Sequence, residues 1–346
     1  MIYFNSDYLE GAHPSIMVKM AETNMVQTVG YGEDEYCEAA REKIKTACQA
    51  PEADVHFLVG GTQTNTTVIA AILRPWQGVI SAVSGHINCH EAGAIESTGH
   101  KVITLPTDNG KITAQQVADY VEWHKNDEST EHIVQPGMVY ISHPTEAGTL
   151  YTKAELTELY DTCRRYSLPL FIDGARLGYG LAADASDMTL PELARLCDVF
   201  YIGGTKVGAL FGEAVVIMNE SLKKDFRFIM KQRGGRLAKG RLLGIQFDAL
   251  FTDDLYFKIS RHAIEMAHQI RDIFVSAGYP LLFDSPTNQQ YPIMPDAELA
   301  EIGKSFGYEY WERVDETHSG VRFCASWATT QENVDALREA VNALKK

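Results

Sequence analysis

Four short segments carry residues that packing alone does not call for. The first is Lys206, which follows Gly203-Gly204-Thr205 at the end of the apolar run DVFYI. A lysine held beside glycines at a strand end can be partly desolvated, which lowers its pKa and lets its amine form a Schiff base. The bland alternative is a solvated loop lysine. The second is Asp173, directly after LPLFI. A carboxylate at the buried end of such a strand is costly unless a cation pairs with it. Two partners are open: Arg176, three residues on, or a protonated ring nitrogen on a ligand. The third is Gly60-Gly61-Thr62-Gln63-Thr64-Asn65, between an apolar run and a helical stretch. Successive amides at a helix N-terminus, with a hydroxyl beside them, make a phosphate site, although an ordinary glycine turn with a threonine cap would read the same. The segment is neither a P-loop nor a GxGxxG dinucleotide fingerprint. The fourth is Ser84-Gly85-His86-Ile87-Asn88-Cys89-His90-Glu91. Its HxxxH spacing invites zinc, but with 11 histidines in 346 residues the pair is weak and no third ligand lies nearby, so no metal is expected. His86 covering the face of a flat ring is the more economical reading.

Taken together, a phosphate cradle, an acid for a ring nitrogen, a stacking imidazole and an imine-forming lysine are the requirements of pyridoxal 5′-phosphate. The elements that must position them alternate strand and helix. VHFLVGG, VISAVSGH, KVITLP, MVYISH, LPLFIDGA, DVFYIGG and AVVIM are seven strand-length apolar runs, with helical stretches such as 36–49, 64–73 and TKAELTELYDTCRRYS among them. Unbroken rather than alternating apolar runs predict strands covered on both faces, hence an α/β fold with a mainly parallel sheet. Ligands in such sheets bind at the carboxyl ends of strands. Asp173 and Lys206 each end a strand and can share a pocket. After about residue 250 the pattern weakens. A long helix, YFKISRHAIEMAHQIRDIFVSAG, leads to the strand VRFCASW and a last helix for which Thr330 is the expected N-cap. The reading is a large domain over 1–250 and a small α+β domain over 251–346.

Composition sets the outer limits. The chain is ordinary globular protein, with 46 acidic against 31 basic residues and a net charge of −15. That balance argues against nucleic acid and anionic membranes as partners. No export signal and no run of membrane-spanning length is visible, and six scattered cysteines lack any paired spacing. The expected location is cytoplasmic.

With these residues in view, the sequence resembles the threonine aldolase and β-eliminating lyase group of the aspartate-aminotransferase-like (fold type I) pyridoxal-phosphate enzymes. The motifs that carry the likeness are FNSDYLEGAHP, YGEDEY, GGTQTN, SGHINCHEAGA, SHPTEAGTLY, FIDGARL, YIGGTKVGALFGEAVV and VRFCASWATT, spread over almost the whole chain. The lysine segment with IQFDALFTDDLY looks closest to the phenylserine-aldolase branch, because Lys206 follows Thr205 rather than serine. The resemblance implies that Lys206 binds the cofactor covalently, Asp173 the pyridine nitrogen, Gly61 and Thr62 the phosphate, and that His86 stacks on the ring. It places Arg176 beside the ring oxygen and the substrate carboxylate, with Ser6 and Arg322 gripping that carboxylate. His143 matches a histidine thought to touch the substrate β-hydroxyl. In the family a glycine-rich segment supplies an arginine to the neighbouring subunit's phosphate. Here that position is Ala238, and Lys239, Arg236 or Arg241 must serve, Lys239 being taken. Tyr31 is the candidate to reach across a dimer. The implied activity is retro-aldol cleavage of an L-β-hydroxy-α-amino acid to glycine and an aldehyde, in a homodimer or homotetramer with shared sites. β-Elimination or transamination on the same scaffold, and a non-catalytic small-molecule-binding protein, are the other readings.

Overall fold

The computed structural model, which describes residues 1–345, gathers the seven apolar runs into one sheet. Strand β1 (Ile2–Tyr3) lies apart. The sheet is built from β2 (Asp54–Leu58), β3 (Gln77–Ala82), β4 (Val102–Leu105), β5 (Gln135–Ser142), β6 (Leu170–Asp173), β7 (Val199–Gly203) and β8 (Glu213–Ile217). Their order is β2-β8-β7-β6-β5-β3-β4, and β8 alone runs against the other six. Both faces are covered. Val139, Ile141, Leu170, Ile172, Phe200 and Ile202 point into one core, and the alternate residues Met138, Tyr140, Phe171, Val199 and Tyr201 into another. Each of these side chains is at most 3% exposed.

The glycines at two strand ends matter to the site. A Cβ on Gly174 would lie 2.0 Å from the carbonyl oxygen of Tyr201, and one on Gly203 would lie 2.2 Å from that of Ala175. The strand ends that carry Asp173 and Lys206 close on each other only because both positions lack a side chain.

The small lobe holds β9 (Gln289–Gln290), β10 (Ile293–Pro295), β11 (Phe306–Gly307), β12 (Glu309–Arg313) and β13 (His318–Cys324). β9, β10 and β12 pair antiparallel with β13, and helices Leu255–Ser276 and Gln331–Ala343 pack together beside them. Thr330 caps the last helix, its side chain accepting the Asn333 N–H. The helix that follows the expected division near residue 250 packs on both sides of it. One helix serves both lobes: Tyr256, Ile259, Ala263 and Ile264 belong to the large core, and Met266, Ala267, Ile270, Ile273 and Phe274 to the small one. The small core also takes Phe4 from the other end of the chain, and β1 pairs with β11. Among the described residues no helix is long and apolar enough to cross a membrane.

Candidate active site

The carboxyl ends of β2, β3, β5, β6 and β7 meet at one edge of the sheet, where the chain leaves a cavity of about 320 Å³. Gly60, Gly61 and Thr62 line it from the turn after β2, His86 from the short helix His86–Cys89, and Asp173, Thr205 and Lys206 from β6 and the turn after β7. A larger cavity of about 660 Å³ continues outward to Arg322 and Trp311 of the small lobe. The two share Tyr8, His86, Glu146, Arg176 and Lys206.

Asp173 ends β6 on the same face as Tyr140 and Tyr201, as the two-residue period of a strand requires. Its Oδ2 accepts from Tyr140 Oη at 2.6 Å and Asn65 Nδ2 at 3.1 Å. Its Oδ1 accepts from Tyr201 Oη and from the Ala175 N–H at 3.0 Å. Burial alone would raise its pKa. The His86 charge and the bonds from Tyr140, Tyr201 and Ala175 outweigh burial and hold the carboxyl below its usual range. Arg176, the partner left open by the sequence, does not pair with it.

Arg176 is engaged elsewhere. Its Nε and Nη2 donate to Asp7 at 2.6 and 3.1 Å, and Asn288 Nδ2 adds a third bond to Asp7 at 2.9 Å. Burial would raise the Asp7 pKa, but the Arg176 and Lys206 charges and these bonds bring it down to about 2. Arg176 thus presents only its remaining edge to the cleft.

His86 is fixed from two sides. Its Nδ1 lies 2.8 Å from Glu91 Oε1, which also accepts from Asn65 Nδ2 at 2.7 Å, and its backbone N–H donates to Glu146 Oε1 at 2.9 Å. Burial opposes the imidazolium, yet the Glu91 bond and the Asp173 charge bring its pKa above the ordinary value. Lys206 is held through its backbone, whose carbonyl accepts from Tyr179 Oη at 2.5 Å. Glu213 accepts from Thr205 Oγ1 at 2.8 Å and the Gly204 N–H at 2.9 Å, and so fixes the same turn. Burial, reinforced by the Arg176 charge, lowers the Lys206 pKa against the pull of Asp7, Asp173 and Glu213. Burial pushes Glu213 up to about 7. Among the described residues Lys206 Nζ makes no hydrogen bond or ion pair.

On the small lobe, Arg322 Nη1 donates to Gln289 Oε1 at 3.2 Å and Nη2 to the Asn5 carbonyl at 3.1 Å. Nε is buried without a partner, and the guanidinium carbon stands 5.7 Å from the Trp311 ring centre. Among the described residues no carboxylate pairs with it. Ser6, beside that Asn5 contact, is 6% exposed with its Oγ unpartnered, and it lies behind the lining rather than in it.

Three expectations do not converge here. His143 is 1% exposed and lines neither cavity. It follows Ser142, the last residue of β5, which does face the cleft, and its ring turns away to where Nδ1 accepts the Tyr151 N–H at 3.4 Å. Burial lowers its pKa to about 4. Tyr31 and Lys239 sit together, away from this chain's own cleft: the Tyr31 N–H donates to Ala238 at 3.2 Å, the Tyr31 ring lies under Lys231, and Lys239 is exposed. Neither touches a cofactor site of its own chain.

Five residues that sequence reasoning did not single out hold this cleft in shape: Tyr140, Tyr201, Glu91, Glu146 and Glu213. The two tyrosines were accessible by counting alternate positions from Asp173 into its neighbouring strands. The three glutamates carried no such signal. The arrangement fits pyridoxal 5′-phosphate. A glycine-threonine turn offers amides for phosphate, a buried carboxylate without a cationic partner awaits a ring nitrogen, an imidazole is braced for stacking, and a desolvated amine stands in the same cavity.

A family model described as beta-eliminating lyase matches residues 4–339. A low specificity L-threonine aldolase of Pseudomonas aeruginosa is 29% identical over 338 residues, covering 96% of this chain and 95% of that protein. The solved threonine aldolase of Leishmania major superposes with a TM-score of 0.97 at 42% identity, over 100% of both chains. An aspartate aminotransferase of Thermus thermophilus shares the fold at a TM-score of 0.70 and 14% identity, covering 99% of this chain and 91% of that one.

Proposed function

The chain belongs to the beta-eliminating lyase family, and we propose that it cleaves L-β-hydroxy-α-amino acids of the threonine, allo-threonine or phenylserine type to glycine and an aldehyde, with pyridoxal 5′-phosphate as cofactor. The observation that carries this reading is the convergence of Lys206, Asp173, His86 and the Gly61-Thr62 turn on one cavity. The threonine aldolase names of its relatives support the same reading.

When bound, the cofactor supplies an electron-accepting ring for the pair left by the broken Cα–Cβ bond. The chain's own residues do the rest. Lys206 Nζ, its pKa lowered by burial and the Arg176 charge, is the nucleophile that would hold the cofactor. Asp173 would keep the ring nitrogen protonated, and its four donors fix where that bond is made. His86, locked through Glu91, would cover the ring face and exclude water from it. Gly61 and Thr62 would hold the phosphate. Arg322 and the free edge of Arg176 would grip the substrate carboxylate, with Ser6 behind them, and so set which bond at Cα stands perpendicular to the ring.

A homodimer or homotetramer fits the surface. Met17 and Val18 on helix Pro14–Thr23, Met25, Val26, Val29 and Tyr31 after it, and Phe228 are 42–87% exposed. Tyr31 within this group, and the turn carrying Lys239, to which its N–H donates at Ala238, would face a second copy's site. The six free cysteines suit a cytoplasmic location.

The test is direct. Purified protein loaded with pyridoxal phosphate is incubated with L-threonine, L-allo-threonine and L-phenylserine, and each reaction is assayed for glycine and aldehyde. Release of both from at least one substrate is expected. A 2-oxo acid in place of glycine would assign elimination or transamination instead.

A further inference from the structure

Where the inner and outer cavities meet, a carboxyl lines both: Glu146, in the loop after β5. Its Oε1 accepts from Ser142 Oγ at 2.6 Å and from the His86 N–H at 2.9 Å. Its Oε2 is buried and has no partner. The Tyr291 hydroxyl donates to the Glu146 carbonyl at 2.6 Å and pins the backbone beneath it. Among the described residues no lysine or arginine forms an ion pair with Glu146. The titratable groups around it are His86 from its short helix, Asp173 from β6, Tyr140 from β5, and Tyr151 and Tyr291.

A buried carboxylate oxygen that accepts no hydrogen bond is costly as a structural element. It is favourable as a base, because desolvation strengthens its hold on a proton. Burial does raise the Glu146 pKa, with the help of the Asp173 charge and against the Ser142 bond, a backbone bond and the His86 charge. The competing bases are worse placed. His143 lines neither cavity, and His86, whose Nδ1 is held by Glu91, has only Nε2 left free, on the ring assigned to cover the cofactor face. A substrate with its amine at the Lys206 end and its carboxylate at Arg322 crosses the junction that Glu146 lines.

We infer that Glu146 takes the proton from the substrate β-hydroxyl as the Cα–Cβ bond breaks. The inference rests on the aldol-cleavage reading above and names the base for it. The O–H bond breaks and its proton passes to Glu146. The O–H electron pair becomes the second carbon–oxygen bond of the aldehyde, and the Cα–Cβ pair stays with Cα. Protonation of Cα from solvent, without Glu146, then yields glycine, and Glu146 returns its own proton to solvent, so the step balances with water as the only other participant.

The test compares Glu146→Gln with the wild type, using three readouts. The amide keeps an oxygen for Ser142 and His86 but cannot take a proton. With cofactor bound, cleavage of the best wild-type substrate should fall about 100-fold or more, the usual scale for losing a general base. Exchange of the glycine α-hydrogen in D₂O, followed by NMR, needs no β-hydroxyl proton transfer and should stay within about threefold. The melting temperature of the cofactor-free variant should be no lower than that of the wild type, because a buried unpaired charge has been removed. Cleavage within about threefold of wild type overturns the assignment. So does parallel loss of cleavage and glycine exchange, or a clear drop in melting temperature, because either marks Glu146 as a strut. If the wild type exchanges glycine but cleaves none of the three substrates, the aldol reading itself fails and the assignment falls with it.

Discussion

Asp173 and Arg322 stand on opposite lobes of the cleft and are built on opposite plans. Asp173 accepts four hydrogen bonds from groups of its own lobe and is complete before anything binds. Arg322 makes two bonds, both to neutral oxygens, keeps Nε unpaired, and both residues it touches, Asn5 and Gln289, carry a further unpartnered polar atom. A fully satisfied group is rigid and suits a permanent guest. A part-satisfied one suits a ligand that comes and goes, since each visit supplies the missing partner. The large lobe therefore reads as the holder of the cofactor, and the small lobe as the holder of substrate.

That contrast can be broken by mutation. The largest effect is expected from Lys206→Ala, which should abolish cleavage. Borohydride reduction and peptide mapping should place the pyridoxyl label on Lys206 in the wild type and nowhere in the variant. A label on another lysine would move the site. Next, Asp173→Asn should keep the fold yet slow turnover. Losing one charged hydrogen bond at such a site is worth about 2–4 kcal/mol, or roughly 30- to 1,000-fold. Near-normal kcat in a cofactor-loaded variant would show that the four-donor network serves structure only. A smaller change, on the other lobe, is Arg322→Lys. An ammonium cannot reproduce the guanidinium fork, so KM should rise about tenfold or more while the cofactor absorbance and melting temperature hold. An unchanged KM would remove the small lobe from substrate binding.

The smallest effect on turnover is expected from His143→Gln, within about threefold in kcat/KM, because the ring faces away from the cleft. Its effect belongs to acid stability instead. The folded-state pKa of His143 lies near 4, below the ordinary 6.5, so the folded chain holds it neutral. Its contribution is present in full above pH 6.5 and is lost as pH falls from 6.5 towards 4. Urea unfolding at pH 7 and pH 5 should show a smaller pH dependence in the variant. A large loss of cleavage would return His143 to the chemistry.

How much of this was legible in the sequence follows the range of the interactions. Seven apolar runs predicted seven sheet strands, because strand burial is a local pattern. Asp173, Lys206, His86 and the Gly61-Thr62 turn share one cavity, because ligand positions at strand ends follow from topology. His143 lies outside the cleft for a local reason: it is the residue after Ser142, which ends β5 facing the cleft, and adjacent residues of an extended chain point to opposite sides. Glu91, Glu146, Glu213 and Asp7 were silent for a different reason. A carboxylate becomes informative only through what surrounds it, and Asp7 meets Arg176 across 169 positions of chain.

The pairing of β1 with β11, and of Phe4 with the core of the small lobe, governs the order in which the protein can be assembled. The Phe4 carbonyl accepts the Cys324 N–H, so the small lobe is stitched from both ends of the polypeptide. On a ribosome the large sheet can collapse once β8 has emerged, but residues 2–4 must then wait, unburied, for β11 and β13. Closing so long a loop is slow to nucleate, though its entropy grows only with the logarithm of length. During that interval Asp7 has not yet met Asn288, so the binding cleft is among the last parts of the molecule to be completed.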